Sequence, residues 1–237
     1  MSASVIIASF LGGVIPAVLW LEFWLREANH REPRRLIVGA FLLGMVSIFV
    51  AGFLEQATGL FLIEYTTMSF FAWAAIEEVL KFSSAYVVGL RTRFCDEAID
   101  PAIYLITAAL GFSAGENILF LFDPLSVGDI AKGLMTITFR SVGATLVHVV
   151  ASGAVGIAIG FTFYKSTKVK RVAVFIGLLV ATLLHTVFNR LIIEGQNHAL
   201  LIFSGVWIGL IAVIVILEKI KSSKKLSLIK IPKNLSH

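Results

Sequence analysis

The sequence predicts an all-α fold, a polytopic membrane helix bundle of about seven transmembrane helices with the N-terminus outside and the C-terminus cytoplasmic. Three observations predict it. The 237 residues are 58% hydrophobic and 15% charged, with a mean hydropathy of +0.92, which is too apolar for a soluble domain of this length. Apolar segments fall at about 3–25, 36–54, 67–90, 101–122, 134–164, 172–193 and 198–218, most of them near the roughly 20 residues a spanning helix needs. Basic residues gather in every second connection, which sets orientation by the positive-inside rule.

The first segment opens MSASVIIASFLGG with no positive stretch ahead of it, so it is expected to be a span and not a cleaved signal peptide. Arg26, Arg31, Arg34 and Arg35 follow it. The second segment leads to an acidic connection with Glu55 and Glu64, and the third contains AAIEEVLKF at 74–82. After the third come Arg91 and Arg93, beside Cys95. A single cysteine excludes an internal disulfide framework, and Cys95 has no evident chemical role. The fourth segment carries FSAGEN at 112–117 and ends toward Asp123, Asp129 and Lys132. The fifth and sixth flank Lys165, Lys168, Lys170 and Arg171, while Arg190 and Glu194 close the sixth. The last runs into Lys219, Lys221, Lys224, Lys225, Lys230 and Lys233. Sixteen of the twenty Lys and Arg residues thus lie in alternate connections, and an odd number of spans fits that alternation. The pI near 9.4 follows from topology and gives no reason to expect nucleic acid. With no internal repeat and no soluble insertion, residues 1–220 are expected to form one integral-membrane domain. Residues 221–237 form a basic cytoplasmic tail able to meet anionic headgroups.

Ionisable groups inside a bilayer cost roughly 2.5–3.5 kcal/mol each and mark functional sites by default. Glu77, Glu78, Lys81, Glu116, Arg140, His148 and His185 lie inside the segments, with Asn117, Ser141, Thr145, Ser152, Thr182 and Asn189 as polar companions. Helical spacing puts Glu77 and Glu78 within reach of Lys81. It also aligns Ser141, Thr145, His148 and Ser152 on the fifth helix, and Thr182, His185, Thr186 and Asn189 on the sixth. At 1.5 Å per residue, Glu77 lies about 14 Å from the outer end of its helix, Glu116 about 9 Å and His185 about 12 Å; His148, on a helix longer than the bilayer, comes out near 21 Å. Four helices bring carboxylates and imidazoles to similar levels, which points to one site. A buried carboxylate can deprotonate water. Two histidines and a carboxylate make a zinc set, with a second carboxylate left to activate the bound water. The same groups without metal can polarise a water, and Asn189 with His185 can present donors to an oxyanion. All three arrangements fit hydrolysis within the membrane.

EEVLK at 77–81 resembles the EExxK motif of the PrsW family of intramembrane proteases. FSAGEN resembles its FxxxEN motif, and His148 and His185 resemble its two later histidines. LWLEFWLREANHREPRRL is similar to its first-span exit, with Glu-Pro before the second span. The likeness runs from about 14 to 193, with the motifs in order on separate helices. The family is similar to the CAAX prenyl protease and bacteriocin-processing group, whose pattern is EExxxR, FxxxH and HxxxN. Carried over, the resemblance implies Glu77 as the water activator, Glu78 beside it, and His185 with Asn189 as HxxxN. Glu116 stands where that group has histidine, and His148 with Ser152 gives HxxxS. Three carboxylates facing two imidazoles favour a bound cation, and Glu116, His148 and His185 are the ligands expected for zinc. Lys81, Asn117 and Ser152 are supporting residues. The resemblance further implies a membrane-anchored protein substrate of the anti-sigma-factor kind, a multi-pass location in the plasma membrane of a bacterium or archaeon, and regulated proteolysis. Nothing in the sequence sets an oligomeric state.

The rival from another class is a transporter or proton-coupled carrier using the buried Glu and His as a relay. Such folds usually show internal repeats or broken helices, which the sequence lacks. HExxH is absent, VASG at 150–153 resembles a GxSG motif but has Val150 where glycine is needed, and the aspartates sit in loops or at helix ends.

Overall fold

The computed structural model describes residues 2–26, 28, 32–194 and 199–229, with only the backbone of 194, 199 and 223–229. Among these residues seven helices follow one another: α1 (Ala3–Leu25), α2 (Arg34–Thr58), α3 (Thr67–Ala85), α4 (Asp100–Ser126), α5 (Ile130–Phe161), α6 (Thr167–Glu194) and α7 (Ala199–Ile229). No strand occurs among the described residues. The seven apolar segments of the sequence are these seven helices. Six are long and apolar enough to cross a membrane, and the protein is a multi-pass membrane protein. The remaining helix, α3, carries Glu77, Glu78 and Lys81, and all three are buried. Residues 221–229 continue α7 as helix, while Arg31, Lys230 and Lys233 lie outside the described residues.

Local chemistry explains the helix ends. Thr66 caps α3 by accepting from the Ser69 N–H at 3.2 Å, and Asp129 caps α5 by accepting from the Lys132 N–H at 2.9 Å. Pro101 stands in the first turn of α4, where its missing N–H costs nothing. Two helices contain a wider, π-type turn: Tyr86–Leu90 prolongs α3, and Arg140–Ala144 interrupts α5. In an unbroken α-helix Arg140 and His148, eight steps apart, would point about 80° away from one another. The wider turn takes up part of that difference, so both side chains face α4.

Helix α4 is the axis of the bundle. It is buried over most of its length and enclosed by α1, α2, α3 and α5. The large exposed apolar side chains, such as Phe49, Phe53, Phe175 and Ile208, lie on the outer helices, where lipid covers them. Close approach to α4 depends on glycine. A Cβ at Gly111 would lie 1.9 Å from the Phe41 carbonyl oxygen, and one at Gly44 would lie 2.1 Å from the Ala108 oxygen, so α2 and α4 cross backbone to backbone. By contrast, α6 and α7 meet over a short length, and an apolar groove of about 300 Å³ separates them, lined by Leu184, Val187, Leu201 and Gly205.

At the end carrying the basic loops, the chain is tied by its own carboxylates. Tyr104 on α4 donates to Glu32, the residue before Pro33. Asp100 Oδ2 accepts the backbone N–H groups of Asp96 at 2.9 Å and Glu97 at 2.6 Å, closing the loop that starts α4. Burial raises the Glu32 carboxyl above its ordinary value. Burial, reinforced by Asp100, pushes the Cys95 thiol up to about 12, which favours the neutral thiol at physiological pH.

Replacing Gly111 with Ala is expected to force α2 and α4 apart and to cost about 1–3 kcal/mol, the range for overpacking a tight contact. Thermal unfolding in detergent measures it; a melting temperature equal to wild type would contradict the crossing.

Candidate active site

Four helices supply the polar residues, and the structure brings them into direct contact. Glu77, Glu78 and Lys81 come from α3, Glu116 and Asn117 from α4, Arg140, Thr145, His148 and Ser152 from α5, and His185 and Asn189 from α6. The i, i+3 and i, i+4 spacing on α3 turns both carboxylates toward Lys81 Nζ, which stands 2.7 Å from Glu78 Oε1 and 3.4 Å from Glu77 Oε2. The same ammonium donates to His148 Nδ1 at 2.8 Å and lies over the Phe112 ring, 4.8 Å from its centroid. Lys81 is wholly buried, with its three donors used and an aromatic face on the remaining side.

These contacts assign the imidazole tautomers. An ammonium donating to His148 Nδ1 leaves the proton on Nε2, which donates to Glu116 Oε2 at 3.0 Å. His185 Nδ1 donates to Glu78 Oε1 at 3.0 Å, leaving its Nε2 with a lone pair. Each histidine is therefore oriented by a carboxylate through one nitrogen, the support seen around metal-binding histidines. The rings stand edge to face, 4.9 Å apart at 86°.

The two adjacent glutamates differ. Glu78 is 1% exposed and held by Lys81, by His185 and, at 3.5 Å, by the Ser152 hydroxyl. Glu77 is 7% exposed and faces a cavity of about 530 Å³, with His148 Nδ1 and His185 Nδ1 each 3.8 Å from its Oε2. Glu116 also lines that cavity and pairs with Arg140, whose Nη2 is 2.7 Å away but out of hydrogen-bonding line. Arg140 Nε donates to Asn117 Oδ1 at 2.6 Å, and Asn117 donates in turn to Thr145, which also accepts from Ser113 at 2.9 Å. Asn117 is thus a spacer fixing Arg140, while Asn189 lines the cavity beside His185.

Chemically, the donor set suits a divalent ion. Glu77, His148 and His185 each offer a ligand atom, all within 4.8 Å of one another. The carboxylate in this group is Glu77, whereas the sequence groups Glu116 with the two histidines; Glu116 turns to Arg140 and to the protonated nitrogen of His148.

Sequence reasoning missed Glu55. Its apolar window closed one residue early and left Glu55 in a loop, whereas α2 runs to Thr58 and Glu55 lines the cavity with a buried Oε1 lacking a hydrogen-bond partner among the described residues. The signal was present: Ala40, Gly44, Ser47 and Ala51 form a buried small-residue stripe whose next helical step is Glu55. An aromatic rim was missed as well. Tyr65, at φ 60°, packs edge-on against Phe70 and Trp73 at the cavity mouth. Arg140 neutralises a carboxylate of the cluster, Glu116.

The chain matches the family model of the PrsW family intramembrane metalloproteases over residues 32–217. Among curated proteins it is similar to Protease PrsW of Geobacillus kaustophilus (strain HTA426), 26% identical over 222 residues and 90% of each chain. It is similar to Protease PrsW of Clostridioides difficile (strain 630), 26% identical over 91% of this chain and 89% of the relative, and to that of Bacillus subtilis (strain 168), 23% identical over 78% and 83%. No solved structure matches it. The match covers every helix that contributes to the polar cluster, and the chain belongs to the PrsW family of intramembrane metalloproteases.

Proposed function

We propose that the protein hydrolyses a peptide bond of a membrane-anchored regulatory protein, of the anti-sigma-factor kind, with Glu77 as the base that activates water. Family membership makes the protein a protease, and the carrier alternative gives way to it. The observation that carries the assignment of Glu77 is the asymmetry of the pair: Glu78 is clamped by three partners and withdrawn, while Glu77 faces the cavity.

In this reading a water in the cavity gives its proton to Glu77 as its oxygen adds to the scissile carbonyl carbon. When the C–N bond breaks, Glu77 returns that proton to the leaving amine. Because His185 spends its N–H on Glu78, the donor to the developing oxyanion is the Asn189 side chain, one helical turn further on. Arg140 holds Glu116, which holds His148, so the ring facing Glu77 keeps its orientation. A divalent ion would be held by Glu77, His148 and His185; zinc suits that set and would supply Lewis-acid polarisation, and Glu77 would then act as a ligand, its role as free base belonging to the metal-free site.

The cavity is lined from the end of α2, the start of α3, the end of α4 and the start of α5, opposite the basic loops. With those loops cytoplasmic, the cut lies toward the extracytoplasmic side of the plasma membrane. Residues 1–220 would act as one domain, the remaining tail staying on the cytoplasmic side.

Glu77→Gln is expected to lower cleavage of a membrane-anchored reporter by about 10²–10⁴-fold while the protein stays folded. Near-normal turnover would remove Glu77 as the base. Glu78→Gln breaks the main Lys81 pair, and its expected signature is instead a stability loss of about 3 kcal/mol in detergent. Mass spectrometry of the reporter fragments is expected to place the cut in the outer half of its spanning segment; a cut at the cytoplasmic border would reverse the orientation.

A further inference from the structure

Lys81 is the feature that the hydrolytic reading does not use. Its Nζ lies against two of the three groups that would hold an ion, 2.8 Å from His148 Nδ1 and 3.4 Å from Glu77 Oε2. Nδ1 is the one nitrogen of His148 with a lone pair, since Nε2 carries the proton given to Glu116. A metal at the triad needs that lone pair and that carboxylate oxygen. Two cations cannot share them at these distances: the ammonium already fills the space and the positive role.

We infer that Lys81 is a built-in competitor for the metal, its ammonium and a divalent ion occupying the Glu77–His148 donors in mutually exclusive arrangements. An ion enters when Nζ withdraws from Glu77 and His148 toward Glu78 Oε1, the carboxylate outside the triad, which already holds it at 2.7 Å. Glu78 thereby serves as the parking position for the lysine and, through His185 Nδ1, as the support of a ligand. The outcome is a site whose metal affinity is set from within the protein, by one side chain on the helix that also carries the base. This inference rests on the triad assigned above, though not on the identity of the substrate.

The test is metal affinity, measured on the full chain purified in detergent by competition between Zn²⁺ and a chromophoric chelator, with no substrate present. Lys81→Met is expected to bind Zn²⁺ at least tenfold more tightly than wild type. Because that change leaves two buried carboxylates facing one another, Glu78→Gln/Lys81→Met keeps the charge balance, and the amide oxygen it introduces can still accept from His185; it too is expected to bind at least tenfold more tightly. Adding His185→Ala to the double variant is expected to abolish the gain. A merely structural role for Lys81 would loosen the triad and weaken binding, so affinity equal to or below wild type in both variants overturns the inference. So does Zn²⁺ binding that survives His185→Ala, or no binding in any variant. A protein that binds Zn²⁺ as expected but cleaves no reporter would sink the catalytic reading and leave this one standing.

Discussion

The structure depends on one buried cation. Lys81 sits wholly out of solvent between Glu78, Glu77 and His148, with Phe112 behind it. Without it, two adjacent carboxylates on α3 would face the protein interior within the membrane with only His185 and Ser152 left to Glu78, a cost of about 3–5 kcal/mol. With it, α3 becomes a spanning helix in all but composition. The ion pair also reaches outward. Lys81 fixes the protonation of His148, Glu78 fixes that of His185, and Glu116 with Arg140 closes the network on α4 and α5. Four helices are thus held by a polar core where most membrane bundles rely on apolar contact.

That polar core needs an axis to be built on, and α4 supplies it. Its glycines admit α2 at backbone distance and its last turns carry Glu116 and Asn117. The wide turn in α5 then brings Arg140 round to meet them. Precision in the site comes from rigid helices and not from loops, consistent with the general need to hold reacting groups by locked neighbours.

Much of this was legible in the sequence because a bilayer makes polarity conspicuous. Seven segments, the alternation of basic loops, and the cluster of Glu77, Glu78, Glu116, His148 and His185 all stand out against hydrocarbon. Helical periodicity was enough to say which residues share a face. What periodicity could not give was which nitrogen faces which oxygen. The sequence grouped Glu116 with the two imidazoles, whereas in the structure Glu77 lies near both and Glu116 is shared between Arg140 and His148. Glu55 escaped notice because a hydropathy window ends where charge begins, although the helix itself continues. The wide turns were invisible too, since they depend on tertiary contacts and not on any residue pattern.

The short meeting of α6 and α7 has a mechanical consequence. Around α4 the helices are joined by backbone crossings and by the ion pairs of the polar cluster, which resist separation inside hydrocarbon. Between α6 and α7 the walls are apolar, and lipid tails solvate such surfaces about as well as another helix does. Widening that seam breaks no hydrogen bond of the polar network, and the groove shares Val147 and Phe188 with the cavity. Among the described residues, the seam between α6 and α7 is thus a place where lateral separation, in the plane of the bilayer, costs no polar contact, although it adjoins the polar network.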